Sequence, residues 1–163
     1  GIRIKEAGWF KAFDTKIATH VGIVVTLKTE FSEMKAIAEM MPGGLKINSF
    51  SDYLNNGYFG DRIVEIKRFR GFENPVVQSA LNNQILTWWE SGKKYDWNGV
   101  LEYVLPFLKD KSNRFYCSEM VEWCAINIAS MDLIQGKVDK SDNVTPFQIQ
   151  MSPLTSLINW SSK

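Results

Sequence analysis

The pattern of apolar and polar positions changes character midway along the chain. In the first part the apolar residues come in short runs. ATHVGIVVTL at 18–27 is short, apolar and β-branched, which predicts a buried strand. TEFSE at 29–33 is polar enough to turn, and MKAIAEM at 34–40 predicts a second strand, although Ala, Met and Glu also suit a helix. Pro42-Gly43-Gly44 breaks the chain, and Leu45 to Ile47 forms a short extended piece. Phe50 to Leu54 fits a helical turn capped by Ser49 or Ser51. RIVEIKRF at 62–69 alternates apolar and charged residues, as a half-exposed strand does.

In the second part the spacing becomes helical. PVVQSALNNQILTWWE at 75–90 has a proline at its start and Gly92 beyond its end. Trp97 to Leu108 reads as a helix closed by Pro106. YCSEMVEWCAINIA at 116–129 is a further helix, with Cys117, Met120, Val121, Cys124 and Ile128 on one apolar stripe. Thr145-Pro146 starts a final short element. Strands first and helices later, without a linker or repeat, predict one α+β domain over residues 1–163.

Composition narrows the function. The net charge is +1, from 19 Lys+Arg and 18 Asp+Glu, so no electrostatic case exists for a nucleic-acid partner. No apolar run approaches the roughly 18 residues that span a bilayer, so no integral membrane segment is expected. Neither is a signal peptide visible, although the sequence starts at Gly1 rather than Met. The oligomeric state is not readable. Cys117 and Cys124 are the two cysteines. On one helix they stand about 10 Å apart at roughly 1.5 Å per residue, too far for a disulfide. They read as two thiols, which leans toward a reducing, cytoplasmic setting. With one histidine and two cysteines at these spacings, no structural zinc site is expected.

The chemistry then converges on few residues. A free cysteine is commonly a small buried hydrophobe. Cys117, however, follows Asn113 and Arg114 and opens an apolar helix. At a helix N-terminus the dipole and unpaired N–H groups favour a thiolate and can hold an oxyanion. Cys124, two turns deeper, belongs to the core. A cysteine nucleophile needs a base, and His20 is the sole histidine. It stands just before the apolar run Val21 to Val25, near the mouth of the expected sheet. A third group should orient the imidazole. If residues 18–27 and 34–40 pair antiparallel about a turn near residue 30, His20 falls opposite roughly residue 40, beside Glu39. Glu30 and Glu33 fall near the turn, on the order of 30 Å away at about 3.3 Å per residue.

Four strings, THVGIVV, AIAEMMPGGLKINSFSDYL, GKKYDWNGV and FYCSEMVEWC, resemble the circularly permuted branch of the NlpC-type papain-like cysteine hydrolases, the YiiX-like proteins. The resemblance covers roughly residues 18 to 150 and is sharpest at His-Val-Gly-Ile, 20–23, and Tyr-Cys-Ser-Glu, 116–119. In ordinary members the cysteine helix precedes the histidine strand; here His20 precedes Cys117, as permutation implies. The segment before His20 lacks the Gly-Asp stretch the family often carries there. The resemblance implies an antiparallel sheet packed on helices, with Cys117, His20 and Glu39 as catalytic groups. It also aligns Tyr95 with a Tyr-Asp pair that precedes the cysteine helix, implying substrate contact or packing.

The expected activity is that of a cysteine amidase or peptidase working through a Cys117 acyl-enzyme. A lipid acyltransferase or thioesterase on the same fold, or a non-catalytic binding module, are the alternatives. No metal or organic cofactor is called for. The expected substrate is a small peptide, another amide or a lipid-type ester. Trp88, Trp89 and Trp97 either line an apolar groove for such a substrate or fill the core.

Overall fold

A computed structural model of the chain describes residues 20–28, 32–51, 66–96, 115–134 and 144–157. Its architecture is α+β: an antiparallel three-stranded sheet packed against helices. The sheet comprises β1 (Ile23–Lys28), β2 (Glu33–Met41) and β3 (Gly44–Ser49), in the order β1-β2-β3. A second ribbon pairs β4 (Lys67–Phe69) with β5 (Thr155–Leu157). The helices are α1 (Pro75–Glu90), α2 (Cys117–Ala129) and α3 (Pro146–Met151).

Register follows from the turns. β1 and β2 pair with Ile23 opposite Ala38 and Lys28 opposite Glu33. β2 and β3 form a hairpin closed by the two residues Pro42-Gly43, with Met41 opposite Gly44. Side chains alternate across these strands. Val21, Ile23, Val25, Ala36, Ala38 and Met40 therefore join the core that α1 and α2 cover. The alanines are fully buried, which lets the helices approach the sheet closely. Ile37 and Glu39 lie on the other face of β2 and are buried there as well.

α1 occupies the span its sequence predicts. The Asn74 side chain accepts from Val76 N–H at 2.9 Å, Pro75 fits the first turn, and Gly92 exits with φ of +65°. α3 is capped by Thr145, whose hydroxyl accepts from Gln148 N–H at 3.1 Å. The stripe on α2 packs as expected: Met120, Val121 and Cys124 are buried, and Ile128 is half-buried.

Some expectations need correction. The first strand begins at Ile23, because residues 21–22 run past His20 outside the ladder. The half-exposed strand expected from residue 62 is ordered as a strand only at Lys67–Phe69, among the described residues. Trp88 does not line a groove. It is buried against Trp123 at 4.8 Å and Phe115 at 5.1 Å between ring centres, so it fills core between α1 and α2. Trp89 is exposed, and Trp97, with the helix expected over 97–108, lies outside the described residues. Among the described residues no helix is long and apolar enough to cross a membrane.

Candidate active site

Cys117 is the first residue of α2, with Tyr116 as its extended N-cap. Two contacts fix this end of the helix. Glu119 turns back to accept from Tyr116 N–H at 3.0 Å, and the Ser118 hydroxyl donates to Val144 C=O. Ser118 and Glu119 are themselves buried. The first N–H groups of a helix have no partner within it, so the Cys117 thiol sits in the positive end of the dipole. The two thiols are free, as the spacing predicted. Burial pushes the Cys124 thiol far up, so it stays a core thiol.

His20 stands at the mouth of the sheet, 4% exposed. Its Nε2 meets Glu39 Oε2 at 3.0 Å. Cys117 is the other side-chain partner of the ring. Burial alone would lower the imidazole's affinity for a proton. Hydrogen bonds to Cys117 and Glu39, with the attraction of both, outweigh it and raise the pKa to about 9. At neutral pH the ring is thus an imidazolium.

Glu39 is 2% exposed and held from a second side. Asn48 Nδ2, on β3, donates to its Oε1 at 3.3 Å. The carboxylate bridges two strands and has one oxygen for each donor. Extending the ladder places Gly22 opposite Glu39, two residues from His20. A side chain at Gly22 would put its Cβ 2.9 Å from both Glu39 Cγ and Ile37 Cγ2. Glycine is what lets the carboxylate lie under the chain and reach the ring.

Tyr95 arrives from a separate segment. Leu45 N–H donates to Lys93 C=O at 3.1 Å, a close approach that a Cβ on Gly44 would block at 2.8 Å. Gly44 has φ of +100°, which glycine adopts without strain. The chain then bridges Tyr95 to Phe115, with Asp96 N–H donating to Phe115 C=O at 2.9 Å. Tyr95 is thereby set beside the residues leading into Cys117. Burial first, then the charges of Cys117, Asp96 and Glu119, push its phenol up to about 12. It remains an O–H donor across the physiological range.

Of the four residues singled out from the sequence, His20 and Glu39 are in hydrogen-bond contact, Cys117 is the ring's other side-chain partner, and Tyr95 bridges to Phe115, two residues before Cys117. Asn48 and Gly22 were missed. Arithmetic through the Pro42-Gly43 turn would have found Asn48, since it places that residue opposite Ile37 and diagonal to Glu39. Among the described residues no group of three or more His, Cys, Asp or Glu side chains could hold a metal ion. In comparisons with protein-family models, curated proteins and solved structures, no match to this chain was found.

Proposed function

We propose that the chain is a cysteine hydrolase of amidase or peptidase type, built like a circularly permuted papain-like enzyme of the YiiX-like branch. The observation that carries this reading is the buried relay Cys117–His20–Glu39, with the ring held as an imidazolium beside a thiol at a helix N-terminus. A structural histidine needs one good partner. This one is placed between a carboxylate and a sulfur, the order that nucleophile, base and orienting group require.

The balanced sequence is short. Cys117 sulfur attacks the carbonyl carbon and the C–S bond forms. The carbonyl oxygen takes the negative charge, met by the Cys117 backbone N–H. The His20 imidazolium gives its proton to the departing amine or alkoxide as that bond breaks. The neutral ring then takes a proton from water, whose oxygen attacks the thioester, and Cys117 leaves as thiolate. The acid is released and the ion pair is restored. Glu39 never exchanges a proton; it fixes the ring's orientation and charge.

The test is chemical trapping. Brief exposure to p-nitrophenyl acetate followed by acid quench should leave one acetyl group on Cys117 by peptide-mapping mass spectrometry. None should be found on Cys124, and the His20→Ala variant should accumulate far less. An acetyl group absent from Cys117, with the protein folded, would remove the hydrolase reading. Release of product with an amine or alcohol acceptor in preference to water would favour the acyltransferase alternative.

A further inference from the structure

One buried carboxyl group has no place in the hydrolase chemistry. Glu122 lies on α2 and is 2% exposed. Its Oε1 accepts from Leu133 N–H at 3.2 Å, but its Oε2 is buried without a hydrogen-bond partner. An unpaired carboxylate oxygen away from water is costly. The carboxyl that faces it is Asp132, whose Oδ1 accepts from Ile134 N–H at 3.0 Å. The chain reverses to bring them together. α2 ends at Ala129, Ser130 takes the left-handed conformation with φ of +54°, and Met131 N–H returns to Ala125 C=O at 2.9 Å. Leu133, 1% exposed, then joins the core. The turn is docked on the helix by two carboxyl groups and two backbone N–H groups.

Two like charges do not both stay ionised in such a place. Among the described residues, Asp132 is the charged group that faces Glu122. The elements packed on α2 present apolar side chains to the shared core: Ile85 and Trp88 from α1, Ala38 and Met40 from β2, and Ile149 from α3. On α2 itself, Glu119 is turned back to Tyr116 N–H. A proton or a metal cation would neutralise the pair. A cation needs several oxygen donors, whereas here N–H groups already point at both carboxyls. Among the described residues no group of three or more His, Cys, Asp or Glu side chains could hold a metal ion. A proton fits better. Bound to Glu122 Oε2, it donates to Asp132 and leaves Oε1 to Leu133 N–H.

We propose that Glu122 and Asp132 share one proton, and that this proton latches the turn at 130–134 onto α2, holding it in acid and loosening it as the proton is lost. Burial first, then the charge of Asp132 and its hydrogen bond, raise the Glu122 carboxyl from 4.5 to about 7, against the pull of the Leu133 and Ile134 N–H groups. The latch therefore works close to neutral pH. Its contribution to stability is full below pH 4.5 and is lost as pH rises through about 7. It lies toward the end of α2 opposite Cys117 and does not depend on the hydrolase reading.

The test compares the parent with Glu122→Gln, whose amide accepts from Leu133 N–H and donates to Asp132 at every pH. Urea unfolding is measured at pH 5 and pH 7.5. Between them the parent's unfolding equilibrium constant should rise about tenfold or more beyond the rise in Glu122→Gln. His20 titrates in both proteins and cancels in the comparison. Hydrogen exchange, read as protection factors so that the intrinsic pH dependence drops out, locates the effect. The Leu133 and Ile134 amides should lose protection from pH 5 to pH 7.5 in the parent and keep it in Glu122→Gln. Equal pH dependence of the two proteins would overturn the latch. If Glu122→Gln does not fold, the Glu122 carboxyl of the unaltered chain is titrated by NMR. A midpoint near 7 supports the shared proton, and one near 4.5 overturns it. Stabilisation of the parent by millimolar calcium at pH 7.5, absent from Glu122→Gln, would make the pair a cation site and overturn the proton as its occupant.

Discussion

Replacing Cys117 with alanine is expected to lower turnover by a factor on the order of 10⁴ to 10⁶, the range found when one member of a nucleophile–base unit is removed. Cys124→Ala should leave turnover intact and cost on the order of 1 kcal/mol, as loss of one buried heavy atom does. The contrast is informative because both thiols are buried on the same helix, 6% and 0% exposed. What separates them is position. Cys117 has the helix N-terminus and a charged ring beside it; Cys124 has neither and is surrounded by apolar side chains. Steady-state hydrolysis of an activated ester, with thermal unfolding of each variant as control, checks both halves. Equal activity of Cys117→Ala and the parent would end the assignment.

The second large effect is expected at Glu39. Glu39→Ala strips a buried imidazolium of its carboxylate and leaves Asn48 without its acceptor. Removing one partner of a buried ion pair costs about 3–5 kcal/mol. Part of that loss is relieved because His20 can shed its proton once the carboxylate is gone. The pH dependence carries the sign. His20 is raised from 6.5 to about 9, so its contribution to stability is full below pH 6.5 and is lost as pH rises through about 9. In Glu39→Gln one of the groups that hold the proton is removed, so the folded pKa falls and the loss occurs at lower pH. Urea unfolding at pH 6 and pH 9.5 should show a smaller difference between the two pH values in Glu39→Gln than in the parent. The same variant should lose the upper limb of its pH–activity profile at lower pH.

Much of this arrangement was legible in the sequence, for identifiable reasons. α1 carries its own boundary signals: a capping Asn74, Pro75 and a positive-φ Gly92. The first hairpin was recoverable because one short turn fixes the ladder, and the ladder fixes who can reach His20. Glu39 was found this way, with the register correct to within a residue. The scarcity of histidine did the rest. Other features depend on segments far apart in the chain. Trp88 had two plausible fates on α1, and only the approach of Trp123 and Phe115 decides between them. A cavity of about 580 Å³ is lined from β1, β4, α1 and α3, which no local pattern links. Gly22 reads as an ordinary strand glycine until Glu39 and Ile37 are seen beneath it.

The central claim is that Cys117 and His20 act as one unit, and the alkylation rate of Cys117 at neutral pH tests it most directly. Iodoacetamide labelling, resolved by peptide mapping, should modify Cys117 in the parent and leave the core thiol Cys124 untouched. In His20→Ala the labelling of Cys117 should slow markedly, with Cys124 inert in both proteins. Equal rates for the parent and His20→Ala would contradict the account.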